Sequence, residues 1–216
     1  MSNTLISPET INTLRELGSA TIYEAQGAKG ALDGGLKPID PGMRVAGPVI
    51  TVDTCPADNL MLHYALLKAK AGDVLVVDAK GFLEAGPWGD VLTQQALQIG
   101  LAGLVINGAV RDAQTIIEMG FPVFCRGLSI KGTSKQHCGQ FNSPVVLSCV
   151  EINPGDIIVG DRDGLVVVAR TEVEDTLRKS LAREQKEAGF REQIKRGATT
   201  VELLGLGEVL RQFNLS

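Results

Sequence analysis

The sequence predicts an α/β fold: a three-layer sandwich with a mixed sheet or half-barrel, followed by a helical C-terminal extension. Apolar, β-rich runs at 74–78, 101–107 and 121–125 alternate with helical segments, the pattern of parallel strands joined by crossover helices. Later runs at 145–150, 156–159 and 165–169 are short and closely spaced, as antiparallel strands are. Beyond Thr171 the composition shifts to Glu, Lys, Arg and Gln. Residues 1–170 therefore read as one α/β domain and 171–216 as its helical extension.

The elements follow in order. Ser7-Pro8-Glu9 starts a helix, with Ser as its cap and Pro in the first turn, and Gly18 closes it. Thr21-Ile22-Tyr23-Glu24 has the form of a capping box that opens another, which gives Glu24 a structural role, with an acidic group near a site as the alternative. Residues 44–52 are β-rich, and the Gly47-Pro48 pair within them suggests a bulge or an edge position. Leu60, Leu62, Leu66 and Leu67 give 59–70 helical spacing, and Ala71-Gly72-Asp73 turns the chain into strand 74–78. Asp161-Arg162-Asp163-Gly164 supplies a hairpin turn between the last two strands. In the extension, Val173, Leu177, Leu181, Ala188 and Ile194 form a narrow apolar seam, which packs on a core edge or on another subunit.

Composition narrows the function. The chain has 216 residues, enough for a real core, and 44% hydrophobic but only 4% aromatic residues, so that core is aliphatic. A net charge of -4, with cations scattered, argues against a nucleic-acid groove. With neither a signal-like opening nor an apolar run of membrane-spanning length, a soluble cytoplasmic protein is expected. Cys55, Cys125, Cys138 and Cys149 include no Cys-x-x-Cys pair and read as buried, reduced thiols. His63 and His137 are the only histidines, too few for a histidine-rich metal site and few for a Ser-His-Asp arrangement. No Gly-x-Gly-x-x-Gly supports a nucleotide-dependent methyltransferase.

Chemistry concentrates at two strand exits. Gly86-Pro87-Trp88-Gly89-Asp90 punctuates the chain, 91–99 is helical, Gly100 stops that helix, and 101–106 is a buried strand that runs on to Arg111-Asp112. One helix and one strand thus separate Asp90 from Arg111, and such a crossover brings both loops to one edge of the sheet, where ligands bind in parallel α/β units. Asp90 caps helix 91–99 in the structural reading; in the functional one, the N–H groups of Val91 and Leu92 also hold a substrate carboxylate. Asp112 in turn has the place of a cap for helix 113–119. Arg111 is harder to explain structurally, because a guanidinium at a sheet edge needs anionic company. Two carboxylates beside one Arg could form an oxygen-ligand site suited to Mg²⁺ or Mn²⁺. A Schiff-base aldolase would instead need a desolvated lysine. Lys80 is the nearest candidate, and it reads as a surface lysine in a Gly-flanked loop. Arg126, Lys131 and Lys135 either bind a second substrate carboxylate or are solvated.

The run Gly-Asp, helix, Gly-Leu-Ala-Gly-Leu-Val-Ile-Asn-Gly-Ala-Val-Arg-Asp, followed by Gly-Phe-Pro-Val-Phe, resembles a known family over about Ser19 to Arg170. That family holds the regulator of ribonuclease E activity A and the class II 4-hydroxy-4-methyl-2-oxoglutarate and 4-carboxy-4-hydroxy-2-oxoadipate aldolases. The spacing of Asp90 from Arg111-Asp112 is the aldolase-type signature. The resemblance implies that Asp112 ligates Mg²⁺, that Arg111 contacts the keto or enolate oxygen of a pyruvoyl group, and that Asp90 orients water. It implies that Gly89, Asp90, Val91 and Leu92 hold the substrate carboxylate. Also implied are cleavage of a 4-hydroxy-2-oxo acid to pyruvate and a second oxo acid, with oxaloacetate decarboxylation as a side activity and aromatic catabolism as the setting. It further implies homotrimers, sometimes paired into hexamers, with sites at subunit boundaries completed by an acidic residue of the neighbour's C-terminal segment, where Glu184, Glu187 and Glu192 lie. Regulatory relatives leave the alternative of a non-catalytic binder of an RNA-degradation endonuclease.

Overall fold

A computed structural model describes residues 6–215. In chain order the elements are α1 (Pro8–Leu17), α2 (Ser19–Ala25), β1 (Lys37–Pro38), β2 (Val45–Asp53), α3 (Leu60–Lys68), β3 (Val74–Phe82), α4 (Asp90–Ile99), β4 (Gly103–Val110), α5 (Ala113–Glu118), β5 (Val123–Leu128), β6 (Gln140–Phe141), β7 (Val145–Leu147), β8 (Val150–Ile152), β9 (Ile157–Gly160), β10 (Leu165–Val168), α6 (Val173–Lys195), α7 (Thr200–Leu203) and α8 (Gly207–Gln212). The main sheet has the order β1-β5-β4-β3-β2-β9-β10, with β6 added on β2. Strands β2 to β5 pair in parallel, whereas β1, β6, β9 and β10 pair antiparallel. This is the mixed half-barrel that the two kinds of strand spacing predict.

The period-2 pattern explains the layers. Leu75 and Val77 of β3, Leu104 and Ile106 of β4, and Val123 and Cys125 of β5 face one core with α3, α4 and α5. Their neighbours Val74, Val76, Val105 and Phe124 face a second core inside the half-barrel, with Ile158, Leu165 and Val167 from the antiparallel strands. The other faces of β9 and β10 join Leu14, Ile22 and Val173 of α1, α2 and α6 in a third core. Strands buried on both faces are near-continuous apolar runs, which is why they stand out in the sequence.

Several local expectations are corrected. Helix α2 begins at Ser19, so Thr21 lies inside it and no capping box forms there. The helix start is held instead by Asp161, whose carboxylate accepts from the Ser19 N–H at 2.8 Å and from its hydroxyl at 2.7 Å. Glu24 is left facing Arg183 at 3.8 Å. Gly47-Pro48 marks neither an edge nor a bulge, since β2 lies between β3 and β9. Pro48 pairs with Ile157 of β9 just before the ladder with β3 starts at Val49, a place where a missing N–H costs little. The run 145–150 is not one strand: Ser148 and Cys149 turn with positive φ, and β7 folds back on β8. All four cysteines are free, but only Cys125 is buried, where burial pushes its thiol up to about 11; Cys138 and Cys149 are exposed. Only the first half of the α6 seam is covered: Val173 is buried and Leu177 packs on the third core, whereas Leu181 and Ile194 are exposed.

A buried carboxylate organises the entry to α3. The Asp58 side chain is inaccessible and accepts from the Leu60 N–H, the Ser134 hydroxyl, and the Gln136 and His137 N–H groups at 2.5 to 3.2 Å. Burial works against its charge, but these donors outweigh it and hold the carboxyl well below the usual carboxylate range. A depressed pKa contributes stability that is complete above the unfolded value of about 3.9 and is lost as pH falls through the folded one. Asp58→Asn, which cannot accept all these bonds, is expected to lower stability at neutral pH by about 1–3 kcal/mol. Its stability should also fall less steeply than that of the natural chain below about pH 4. Urea unfolding across pH checks both, and identical curves for the two proteins would refute the role.

Candidate active site

The loop between β3 and α4, the exit of β4 and the segment after β5 are fastened to one another by main-chain bonds. The Arg111 N–H donates to the Trp88 carbonyl at 2.9 Å, the Gly86 N–H to Lys131 at 3.0 Å, and the Ser129 N–H to Val110 at 2.9 Å. Trp88 anchors the loop. It is fully buried, stacks on Phe121 with ring centroids 6.1 Å apart, and donates to the Thr93 hydroxyl at 2.7 Å, which in turn donates to the Gly89 carbonyl at 3.0 Å. Gly89 has no room for a side chain, because a Cβ there would run into Asp112 Oδ2 and stand 3.0 Å from Arg111 Nε.

Of the residues expected to converge, the structure brings together Arg111, Asp112 and the main chain of Asp90, whereas the Asp90 carboxylate stays on its own helix start. Arg111 Nε lies 3.4 Å from Asp112 Oδ2, and the same oxygen accepts from the Asp90 N–H at 3.3 Å. Neither acid caps its helix in the expected way. Gly89 is the N-cap of α4, and Asp90, one position inside, turns Oδ1 onto the adjacent Val91 N–H at 2.7 Å. Asp112 occupies the N-cap place of α5 in a left-handed conformation, φ 56°, but its carboxylate makes no bond to that helix and turns toward α4 instead. Such a backbone is uncommon outside glycine, and Asp adopts it more readily than most residues.

Two cavities meet at Arg111. One, of about 370 Å³, is bounded by Arg111, Asp112, Leu128, Ser129 and Ile130. The other, of about 210 Å³, lies toward Asn59, His63, Gly89, Leu92 and Lys135. Leu128, Ile130 and Val91 at their rims are exposed. Of the N–H groups at the start of α4, Asp90 and Val91 are engaged by carboxylates, and Thr93 is the first to bond back, to Gly89. That leaves Leu92 as the donor with no partner among the described residues.

The donor set suits some metals and not others. Asp112 offers one half-exposed carboxylate at the cavity wall, and Asp90 keeps one oxygen off its helix. Among the described residues no cluster of three His, Cys, Asp or Glu side chains is placed to hold an ion. A zinc cage is thereby disfavoured, while an ion that takes one carboxylate and keeps its waters, as Mg²⁺ does, fits.

The other cations sort themselves. Lys80 is pinned between Asp53 at 2.5 Å and Asp78 at 2.7 Å, and although burial opposes it, this pairing holds its ammonium above the ordinary value, the reverse of what a Schiff-base lysine needs. Asp78 also accepts from Asn107, Asn107 from Arg126, and Arg126 is clamped on Asp33, so this polar row across β2 to β5 is internally satisfied. Lys131 pairs with Glu84 at 2.5 Å. Only Lys135 of the cations considered for a second carboxylate borders a cavity shared with Arg111. Glu184, Glu187 and Glu192 each pair with a cation of their own helix, and α6 packs on α1 and α2. Sequence reasoning missed Asn59 and His63, which helical spacing marks only as the start of α3 and a position on it.

Comparison with known proteins places the chain. The RraA-like family model, described as Aldolase/RraA, matches residues 19–167. The chain belongs to this family. Its relatives include a protein of Halalkalibacterium halodurans named "Putative 4-hydroxy-4-methyl-2-oxoglutarate aldolase", 36% identical over 170 residues that cover 79% of this chain and 81% of that one. Among solved structures, an uncharacterized protein of Pseudomonas syringae pv. tomato matches with TM-score 0.81 at 29% identity, over 93% of this chain and 98% of that one. RraAS2 of Streptomyces coelicolor, described as an unusual member of the RNase ES inhibitor RraA protein family, matches with TM-score 0.77 at 30% identity, over 88% of this chain and all of that one. The match to the family runs from the start of α2 into β10 and takes in both halves of the site, as the resemblance read from the Gly-Asp and Arg-Asp runs implies.

Proposed function

We propose that the chain is a divalent-metal-dependent, class II pyruvate aldolase that cleaves a 4-hydroxy-2-oxo di- or tricarboxylic acid to pyruvate and a second oxo acid. The observation that carries this reading is the meeting of Arg111, Asp112 and the start of α4 at one pair of cavities. The aldolase name of the Halalkalibacterium relative supports the same class of reaction.

Breaking the C3–C4 bond leaves the enolate of pyruvate, whose oxygen gains charge as the bond lengthens. Arg111, which borders both cavities, donates to that oxygen and favours the charge-separated state. The Leu92 N–H at the helix start receives the carboxylate of the pyruvoyl half. Asp90, through the oxygen not spent on Val91, orients a water that takes the 4-hydroxyl proton and then returns a proton to C3 of the enolate, which gives pyruvate. Asp112 holds Mg²⁺ or Mn²⁺, which when bound supplies Lewis-acid stabilisation of the developing charge. Oxaloacetate decarboxylation passes through the same enolate and is the side activity this arrangement allows. Aromatic catabolism, where such acids arise, is the proposed setting.

The deciding assay is pyruvate release from a 4-hydroxy-2-oxo dicarboxylate with added Mg²⁺. Activity abolished by EDTA and restored by the ion is expected; turnover indifferent to metal would refute the reading. We further propose a homotrimer or a pair of trimers. The exposed Leu128, Ile130 and Val91 at the rims and the uncovered half of α6 support this, with the site closed by an acidic residue of a neighbour. A monomeric sedimentation profile at micromolar concentration would remove that part. No helix among the described residues is long and apolar enough to cross a membrane; the cytoplasmic location is a proposal from the sequence.

The rival reading is a non-catalytic binder of an RNA-degradation endonuclease. The match over 88% of this chain to a member of an RNase inhibitor family favours it. It prevails if no pyruvate is released under any metal condition while such an endonuclease is retained by the natural chain and by Arg111→Ala alike.

A further inference from the structure

The fold brings two of the four free thiols to facing positions. Strands β2 and β6 pair antiparallel, with Val52 opposite Phe141 and Asp53 opposite Gln140. The same register, carried two residues further, sets Thr54 against Gly139 and Cys55 against Cys138. The chains do stay together over that step: a Cβ on Gly139 would overlap the Asp53 carbonyl and stand 3.2 Å from Thr54 Cα. Beyond the cysteines they are tied again. The Ser134 N–H donates to the Ala57 carbonyl at 2.8 Å, the Ser134 carbonyl accepts from the Asn59 N–H at 3.1 Å, and the Gln136 and His137 N–H groups donate to the Asp58 carboxylate at 2.8 and 3.2 Å. Cys55 and Cys138 thus lie between two fastened ends of one strap, residues 134–141. Residues that face each other on antiparallel strands have Cα atoms about 4.5–5.5 Å apart, within the roughly 4.4–6.8 Å that a disulfide spans. Both thiols can be reached, since Cys138 is exposed and Cys55 half-buried.

We propose that Cys55 and Cys138 form a redox pair, which a peroxide-class oxidant closes to a disulfide and a dithiol reopens. The exposed Cys138 thiolate attacks a peroxide oxygen; the O–O bond breaks, one water leaves, and Cys138 becomes a sulfenic acid. The Cys55 thiolate then attacks that sulfur, the S–O bond breaks, and a second water leaves as the S–S bond forms. The pair gives up two electrons and two protons, and the peroxide is reduced to two waters. The closed bond clamps the strap to the end of β2, and with it Lys135, which forms part of the wall of the smaller cavity. The inference stands apart from the proposed aldolase reading, because neither thiol takes part in that chemistry.

The test treats the full chain with hydrogen peroxide, alkylates the remaining thiols, and maps the digest by mass spectrometry without reduction. The peptides that carry Cys55 and Cys138 should be joined, with the chain lighter by two hydrogens, and dithiothreitol should separate them. Cys149→Ser should keep the link. Cys138→Ser, a change at an exposed position, should lose it. In Cys55→Ser, Cys138 should instead accumulate as a sulfenic acid that dimedone traps, because the resolving thiol is gone. Hydrogen exchange of the amides at 135–139 should slow about ten-fold in the linked protein. Oxygen added at Cys138 of the natural chain with no link to Cys55, or a link that runs to Cys149 or to a second chain, would overturn the pair. Unaltered exchange in the linked protein would overturn the clamp.

Discussion

Asp112→Ala is expected to abolish pyruvate release, with a loss in kcat/KM on the order of 10³-fold or more, because it removes the carboxylate that would hold the ion and with it the main compensation for enolate charge. The effect should exceed that of any other single replacement in the cleft. Alanine also has to adopt the left-handed backbone of this residue, so Asp112→Asn is the sharper variant. Asparagine tolerates that conformation and keeps the shape of the side chain while losing its charge. If Asn and Ala fall together and both fold with the natural melting temperature, the charge is responsible. Full activity in either variant, measured with saturating Mg²⁺, would remove Asp112 from the chemistry and the metal with it.

Trp88→Ala is expected to be the most destabilising single change near the site, by about 3–5 kcal/mol. Trp88 is wholly inaccessible, stacks on Phe121 and holds the Thr93 hydroxyl, so alanine opens a cavity and strands a polar partner. Against a total stability of roughly 5–15 kcal/mol, that is a large share. Trp88→Phe keeps the stacking and loses the indole N–H, and should cost only about 1 kcal/mol. Urea midpoints for the three proteins decide it; a Trp88→Ala midpoint near that of the natural chain would show that the loop does not depend on this anchor.

The fold was legible where burial imposed a pattern. Strands covered on both faces, such as β3, β4 and β5, open with apolar runs, and the helix α4 between two of them dictates that Asp90 and Arg111-Asp112 reach one edge. The misreadings fall where a distant partner overrides a local signal. Thr21-Glu24 has the form of a capping box, but the helix starts earlier because Asp161, remote in sequence, takes the Ser19 amide. Ser148-Cys149 carries no Gly or Asn to announce the turn that splits 145–150 into β7 and β8. The short strands β1 and β6 depend on pairing with β5 and β2, and two residues hold no periodicity to read. In the site, the chemistry-bearing pair was visible and its orientation was not, since the turn of Asp112 away from α5 is a backbone property. Asn59 and His63 stayed hidden because helical spacing accounts for them fully until the cavity beside them is seen.

The cleft is sewn together by its main chain: the Arg111 amide meets the Trp88 carbonyl, the Gly86 amide meets Lys131, and Ser129 meets Val110. None of those stitches depends on what the side chains of Asp90, Arg111 or Asp112 are. A frame of that kind can be rewritten at its working positions without being rebuilt, so catalysts and inhibitors can share one ancestry and one shape. For anyone borrowing this scaffold, the lesson is to vary the tips and leave the seams alone.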